Sequence, residues 1–316
     1  MNLLLYDGNI QDASKVEPNN ALLGTNMQCV KVVDVRQVEL DEIIYHIENA
    51  ESNDESDSYF ISENKLISVY DIFEFKIVDI SIEEYLTSPD KYLGYKVPIK
   101  LPLEYHIEPK LDLYTFGYYL ILFNGCEGEF IDSTPVKIRK YIEEKQSITI
   151  EGNVISLKDE QYQTYLNQLT LPPEYLFFSH QHLHHLLAGI IDASKRHKHE
   201  KLLFSNLKLY KQVKDVCARL GLDHVGQIEQ ARYTLNNAEY KTYYCSILIR
   251  NMIYTTASIL EDRPKPSFIK DIINYPIKVS VCHDYKPLLI LNTTDRYLLD
   301  NGIVYPSNNI FIKSKE

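Results

Sequence analysis

The hydrophobic and polar positions of the chain follow three successive patterns. Residues 1–105 alternate short β-branched and apolar runs with polar turns, as in SYFISENKLISVYDIFEFKIVDIS, which is typical of β-strands. Residues 106–264 carry longer apolar or amphipathic runs, such as DLYTFGYYLILFNG and LKLYKQVKDVCARLGL, which predict helices. Residues 265–316 return to strand patterns. An α+β fold is therefore predicted, in which residues 106–264 form a domain inserted into a β domain built from both flanks.

The middle segment repeats its order of elements. The apolar helix DLYTFGYYLILFNG precedes the amphipathic helix TPVKIRKYIEEK and the strand pair SITIEGNVISL. A second apolar helix, HLHHLLAGIIDA, precedes the strand EKLLFSN, another amphipathic helix and the strands QARYTLNN and YKTYYCSILIR. The period is far longer than that of a solenoid, so two similar halves related by an internal two-fold axis are expected. Gly117 in the first apolar helix, facing Ala188 and Gly189 in the second, would allow the two backbones to approach closely.

Composition narrows the class of protein. The 316 residues are 45% hydrophobic and 24% charged, which predicts an ordinary folded protein. The five cysteines are odd in number and form no C-x-x-C pair, which favours free thiols in a reducing compartment and excludes a zinc ribbon. No apolar run has the length of a membrane span, and MNLLLYDGN lacks the features of a signal peptide. We therefore expect an intracellular, soluble protein without membrane contact.

The net charge of −11 is unevenly distributed. Residues 106–264 carry 18 Lys and Arg against 19 Asp and Glu, whereas the flanks carry 15 against 25. Acidic flanks would suit a basic partner protein and do not favour nucleic acid. The most acidic run, ENAESNDESDS, is interpreted as a solvated hairpin loop, and PIKLPLEYHIEPKLDLY as a linker.

The order of these segments resembles an intein that carries a LAGLIDADG homing endonuclease, of the kind found in giant DNA viruses and yeast. LLLYDGNIQDASKVEPNNALLG is similar to the opening of a Hint splicing domain, and DSYFISENKLISVYD to its second conserved block. LPPEYLFFSHQHLHHLLAGIIDAS resembles the approach to the second LAGLIDADG helix, and DRYLLDNGIVYPSN the last splicing block. The resemblance runs nearly end to end. It implies a Hint-like β domain with an inserted two-repeat domain of αββαββα order.

The resemblance also implies that the splicing residues are missing. Splicing needs a Cys or Ser nucleophile at the first intein residue, a His in the second block and a terminal His-Asn pair. Here the chain begins with Met1 downstream of the nucleophile position, and Lys65 replaces the His. Pro306 or Ser307 stands where the penultimate His belongs.

The nuclease residues are missing in the same way. One carboxylate at the foot of each LAGLIDADG helix would hold divalent cations against the scissile phosphate. With the register fixed by Gly117 and Gly189, these positions fall on Leu122 and Ser194. Asp192 lies at an earlier position of the motif, where family members often have a non-acid.

Two further groups of side chains are candidate sites. His180 and His184 are spaced i, i+4 and could hold a transition metal; histidines solvated at the start of a helix are the favoured interpretation, so neither a metal nor another cofactor is expected. Basic residues follow the second apolar helix and continue onto the next one, where a homing enzyme touches DNA. They are Lys195, Arg196, Lys198, Lys201, Lys208, Lys211 and Lys214.

The favoured hypothesis is therefore a catalytically inactive protein, derived from an intein and recruited as a structural or scaffolding component of a larger assembly. The resemblance suggests a viral assembly, in the virion or in infected-cell cytoplasm, held by stable protein partners. The alternative is a sequence-specific DNA-binding protein that has lost cleavage. A working metal-dependent nuclease with relocated acids, for example Asp192 with Glu127, ranks last.

Overall fold

The structure, a computed structural model, describes most of the chain. The described residues are 2–36, 43–122, 134–145, 148–151, 154–194, 201–235, 238–252, 257–259, 271–282, 286–306 and 308–313. They form a mixed α+β protein with several small antiparallel sheets, which confirms the predicted fold class. Met1, Lys195, Arg196, Lys198 and Ser307 lie outside the described residues, as does Glu127.

The chain divides into two compact units. The first combines Met1–Tyr105 with Lys270–Glu316, and the second is His106–Ile269. The first junction falls within the segment interpreted as a linker, and the second lies five residues after the predicted boundary at 264. The second unit carries 19 Lys and Arg against 19 Asp and Glu, so the whole net charge of −11 belongs to the first.

The described residues of the first unit form short strands and one α-helix, α1 (Ile82–Thr87), which the strand pattern did not predict. Its strands are β1 (Asn2–Leu4), β2 (Ile10–Asp12), β3 (Ala21–Leu23), β4 (Cys29–Arg36), β5 (Ile44–Asn49), β6 (Ser58–Ser62), β7 (Leu66–Asp71), β8 (Lys76–Ser81) and β9 (Tyr92–Lys96), continued after the second unit by β15 (Ile273–Tyr275), β16 (Ile277–Cys282), β17 (Lys286–Thr293), β18 (Tyr297–Leu298), β19 (Val304–Tyr305) and β20 (Asn308–Lys313).

Both flanks contribute to the same sheets of this unit. The sheet orders are β15-β9-β7-β8, β16-β5-β6 and β20-β17-β4-β3, with the smaller pairs β1-β2 and β18-β19. In each larger sheet a strand from the C-terminal flank pairs antiparallel with a strand from the N-terminal one. Apolar and tyrosine side chains from both flanks fill one core, among them Ile61, Ile67, Leu291, Tyr297 and Tyr305.

The second unit contains most of the helices. Its elements in order are α2 (Leu113–Leu122), α3 (Val136–Lys145), β10 (Ile148–Glu151), β11 (Val154–Leu157), α4 (Glu160–Asn167), α5 (His180–Ser194), β12 (Lys201–Phe204), α6 (Leu207–Arg219), β13 (His224–Leu235) and β14 (Ala238–Ile249). β10 pairs with β11, and the second sheet has the order β12-β14-β13. The αββαββα order is not reproduced among the described residues, since one described strand stands between α5 and α6.

Local sequence explains where these helices begin and end. Asn206 precedes α6, and its side-chain oxygen accepts hydrogen bonds from the amides of Lys208 and Leu209. The turn that follows α6 contains Gly221 at φ +65°, a left-handed conformation that glycine adopts without steric cost. The α6 helix buries Leu209, Val213 and Val216, which repeat at helical spacing.

The acidic loop of the first unit corrects one prediction in part. Residues 50–57 do connect β5 to β6, yet Asp54 and Asp57 are buried. Lys96 on β9 forms an ion pair with Asp57, with 2.5 Å between Lys96 Nζ and Asp57 Oδ1. The Ser52 hydroxyl donates to the other oxygen of Asp57 at 2.8 Å. Glu51, Asn53, Glu55 and Ser56 are exposed, as the interpretation as a solvated loop predicts, whereas the burial of Asp57 against a lysine 39 positions away was not predicted.

Candidate functional site

The helices α2 and α5, which we call the helix pair, meet at their glycines. A Cβ placed on Gly117 would lie 2.4 Å from the carbonyl oxygen of Leu186, and one on Gly189 would lie 2.1 Å from that of Tyr114. Both distances are far below a van der Waals contact, so only hydrogen can occupy either position. Ala188 is also buried in this helix pair.

The contacts of the two glycines are related by a pseudo-two-fold. Gly117 approaches Leu186 and Ile190, and Gly189 approaches Tyr114 and Tyr118. When Gly117 is superposed on Gly189 in sequence, Tyr114 corresponds to Leu186 and Tyr118 to Ile190. Each helix therefore presents equivalent positions to the other, as in an isologous dimer interface. This symmetry supports the expectation of two similar halves.

Asp192 near the end of α5 is a buried carboxylate with three donors. It is 1% exposed. The Tyr114 hydroxyl and the Ile259 amide each donate to its Oδ2 at 2.8 Å, and the Ser258 hydroxyl donates to its Oδ1. Burial, followed by the negative charge of Asp192, raises the pKa of Tyr114 far above its ordinary value, so the phenol stays protonated and donates. Asp192 thus fastens the segment at 258–259 to the helix pair.

A second carboxylate precedes α2. Asp112 accepts hydrogen bonds from the amide and hydroxyl of Thr115, at 2.9 and 2.7 Å, which is the geometry of a helix N-cap. Its other oxygen accepts from the Tyr141 hydroxyl on α3 at 3.1 Å. Burial and the charge of Asp112 raise the pKa of Tyr141. This carboxylate therefore caps α2 and ties α3 to it.

The two positions that would carry nuclease acids are apolar or weakly polar. Leu122 ends α2 and is 7% exposed, and Ser194 ends α5 and is 8% exposed. The Ser194 hydroxyl donates to the carbonyl of Ile190 at 2.8 Å, one turn earlier in its own helix. Neither side chain is a ligand of the kind that hard divalent cations prefer.

The residues that the sequence resemblance aligns with splicing positions, where described, lie in the first unit. Lys65 is half-buried in the tight turn between β6 and β7, where its amide donates to the carbonyl of Ser62 at 3.0 Å. Pro306 is buried directly after β19. Neither Lys65 nor Pro306 can replace the imidazole that polarises an amide in protein splicing.

Of the histidines of α5, His184 departs from the solvated interpretation, whereas His180, His182 and His185 are partly exposed. His184 is 1% exposed, because it occupies the face of α5 that carries Leu187 and Ile191 into the core. His182 is partly exposed and lies 3.3 Å from Glu108, with Ser179 at 3.1 Å from its Nδ1. Within the described ranges, no three His, Cys, Asp or Glu side chains gather as metal ligands would.

The described members of the predicted DNA-binding set occupy different surfaces. Lys201 lies on the outer face of the β12-β14-β13 sheet, where its Nζ donates to Gln227 at 3.0 Å. The inner face of that sheet packs on α6, since Tyr210 of α6 lies against Gly226. Lys208 and Lys211 are exposed on the far side of α6, and Lys214 is buried. The three accessible lysines thus form no single cationic surface.

None of the helices in the described parts of the chain has the length and apolarity needed to cross a bilayer. Comparison of the chain with protein families and with curated protein sequences found no match. We therefore infer the roles of Asp112, Asp192, Gly117 and Gly189 from the contacts that each residue makes.

Proposed function

We propose that the chain is a catalytically inactive protein of intein and homing-endonuclease type that serves as a structural or scaffolding component of a larger assembly. The observation that carries this proposal is the use made of Asp192. It is the only Asp or Glu within the helix pair, and three donors occupy its oxygens at 1% exposure. A carboxylate held this way stabilises the fold and has little access to a phosphate.

Phosphodiester cleavage by this architecture would need two carboxylates that share hard cations. Leu122 and Ser194 stand at the corresponding helix ends, and both are buried. The Ser194 hydroxyl donates into its own helix. The residues of the helix pair thus support packing and give no pair of acids for the reaction.

The charge distribution supports a protein partner. The first unit has 14 Lys and Arg against 25 Asp and Glu, whereas the second is balanced. Such a surface is electrostatically complementary to a basic protein and repels the phosphates of DNA. Retained DNA binding is the alternative, and it depends on the basic run at 195–201.

A cleavage and binding assay tests the proposal. The purified full chain is incubated with a supercoiled plasmid library and Mg²⁺ or Mn²⁺, and its complexes from the native source are isolated with and without nuclease. No nicking and a stoichiometric, nuclease-resistant protein complex are expected. Cleavage that disappears in Asp192→Asn would overturn the proposal in favour of a nuclease.

The complexes isolated from the native source also test the DNA-binding alternative. A duplex retained in place of a protein, with affinity falling steeply as salt rises, would replace the scaffold by a DNA-binding function. Substitution of Lys195, Arg196 and Lys198 by Ala should then abolish retention. If the complex is a protein complex, the same triple substitution should leave it intact.

A further inference from the structure

The turn between β7 and β8 displays two phenylalanines to solvent. This turn, residues 72–75, is called the phenylalanine tip. Phe73 is 69% exposed and Phe75 is 78% exposed, more than any other aromatic side chain whose burial the structure describes. Exposed phenylalanines in such pairs are costly in water, and side chains of this kind commonly anchor protein interfaces.

The base of the phenylalanine tip is firmly held. Asp71 is 2% exposed, and its Oδ1 accepts hydrogen bonds from the amides of Phe73 and Glu74 at 2.9 and 3.0 Å. Its Oδ2 lies 3.1 Å from the Nζ of Lys91. The amide of Ile72 donates to the carbonyl of Lys91 at 3.1 Å. The two phenylalanines are thus presented on an ordered turn, so little conformational entropy would be lost when they bind.

The backbone of the tip is strained at Phe75. Its φ of +53° lies in the left-handed region, where a bulky side chain is disfavoured and Gly or Asn is the usual choice. Neither the turn nor the core requires a phenylalanine here, because the ring is exposed. Retention of an aromatic ring at a strained, solvated position is explained when the ring itself makes a contact outside the chain.

The unit that carries the tip is acidic, with 14 Lys and Arg against 25 Asp and Glu. Residues 66–91 contain six Asp and Glu and two Lys. Both lysines are engaged by carboxylates of the same segment, Lys76 by Glu74 and Lys91 by Asp71. Asp90, which adjoins Lys91 beside the base of the tip, is exposed. This charge opposes an anionic bilayer, and it also opposes a second copy of the same acidic surface.

We propose that the phenylalanine tip is the docking point for a partner protein that offers an apolar pocket rimmed by Lys or Arg. Phe73 and Phe75 would fill the pocket, and Asp90 together with the net negative charge of the unit would attract its basic rim. This inference rests on the proposed scaffolding function and names the chemistry of its partner.

A displayed library of random peptides provides the probe. Peptides are selected on the immobilised full chain and then measured against four variants: Phe73→Ser, Phe75→Ser, Phe75→Asn and Leu103→Ser. Leu103 is the matched control, since it is 83% exposed in the same unit and lies outside the tip. Selected peptides should combine apolar residues with Lys or Arg, and their affinity should fall at least tenfold in every Phe variant and stay within twofold in Leu103→Ser.

The Phe75→Asn variant separates loss of contact from loss of fold. Asn tolerates the left-handed conformation, so the variant should melt at the same temperature as the parent chain or higher. Weaker peptide binding with an unchanged or raised melting temperature supports the docking role. Selected peptides that are acidic, or that bind all four variants equally, overturn it.

Two further measurements test whether the phenylalanine tip binds a membrane or a second copy of the chain instead of a partner protein. Cosedimentation with phosphatidylcholine vesicles containing phosphatidylserine, if lost in the Phe variants, would replace the protein partner by a membrane. A dimer in sedimentation velocity that dissociates in those variants would replace it by a second copy. If a native protein complex forms and survives the Phe variants, the docking inference fails and the scaffold proposal stands; metal-dependent DNA cleavage overturns only the scaffold proposal.

Discussion

The helix pair and the phenylalanine tip use side-chain size in opposite ways. At Gly117 and Gly189 the chain places its smallest residue where neighbouring backbone leaves no room for a Cβ. At Phe75 it places a large ring where the backbone conformation favours glycine. Packing therefore accounts for the first choice and not for the second. Residues that packing does not explain are the better guide to function, and here they lie on the surface of the acidic unit.

The largest expected effect tests the packing side of this comparison. Gly189→Val would place side-chain atoms against the Tyr114 carbonyl oxygen and the Tyr118 amide, which a Cβ already approaches to 2.1 and 2.8 Å. Backbone atoms cannot turn away as a side chain can, so we expect a loss of about 4 kcal/mol or more in unfolding free energy. Urea unfolding followed by circular dichroism at 222 nm reports it, because most described helices lie in this unit.

Gly24→Ala is the matched control. The three atoms nearest to a Cβ on Gly24 all belong to the end of the Gln28 side chain, the closest at 2.3 Å, and that side chain can rotate aside. Its cost should stay near 1 kcal/mol. Equal losses at Gly24 and Gly189 would contradict the close approach of the two helices.

Asp192→Ala should have the next largest effect. It removes the acceptor of the buried Tyr114 and Ser258 hydroxyls and of the partly buried Ile259 amide. We expect a loss of about 3 kcal/mol in unfolding free energy, since each buried donor without an acceptor is costly. Thermal and urea unfolding measure it. Combination with Tyr114→Phe should give less than the sum of the two losses, because the substitutions remove the same hydrogen bond; strict additivity would argue against the contact.

The sequence predicts the helix pair well because its signals are local. Gly117 and Gly189 stand within apolar runs of helical length, and these runs could be paired without any structure. The partners of Asp192 could not be predicted in this way. Ser258 lies 66 positions from Asp192 in the sequence, and no sequence pattern indicates that these two side chains are in contact.

Two features of the first unit were missed for different physical reasons. The burial of Asp54 and Asp57 within the otherwise exposed acidic run was not predicted, because composition alone does not reveal that Lys96 reaches Asp57. The phenylalanine tip was hidden within the strand pattern VYDIFEFKIV, since its turn contains no Gly, Pro or Asn. A turn made by an aspartate and a strained phenylalanine carries no compositional signal.

Alkaline pH should destabilise the first unit through its buried tyrosines. Burial raises the pKa of Tyr95 to about 12, and it raises those of Tyr59, Tyr275, Tyr297 and Tyr305 as well. A raised pKa in the folded state contributes stability that is complete below the unfolded value of 10.0 and is lost as pH rises above it. Each such tyrosine should remove about 1.4 kcal/mol per pH unit between its two pKa values.

Urea unfolding between pH 8 and 11.5 measures this loss. The free energy should be level up to about pH 9 and fall above pH 10. Tyr95→Phe removes one ionising group and should make the fall less steep. A profile that stays level to pH 11.5 would mean that the tyrosines of this core are accessible to solvent in the folded protein.

A smaller effect distinguishes two fully buried tyrosines in the same core. The Tyr305 hydroxyl donates to the carbonyl of Phe60 at 2.8 Å, whereas the Tyr297 hydroxyl has no hydrogen-bond partner among the described residues. Their ring centroids are 5.7 Å apart, so the apolar surroundings are shared. Tyr305→Phe should cost about 1 kcal/mol and Tyr297→Phe should be neutral or stabilising. Denaturant midpoints of the two variants decide it, and equal losses would contradict the contrast.

The smallest effect returns to the phenylalanine tip and has the opposite sign. Phe75→Gly relieves the strain of φ +53° and increases the entropy of the unfolded chain, so these contributions partly cancel. A net gain of about 0.5 kcal/mol in unfolding free energy is expected. Thermal unfolding of Phe75→Gly and Gly189→Val in the same assay compares the changes in unfolding free energy at the tip and in the helix pair. A loss greater than 1 kcal/mol would mean that the Phe75 ring contributes to the fold, and the residue would then be explained by packing, as the glycines of the helix pair are.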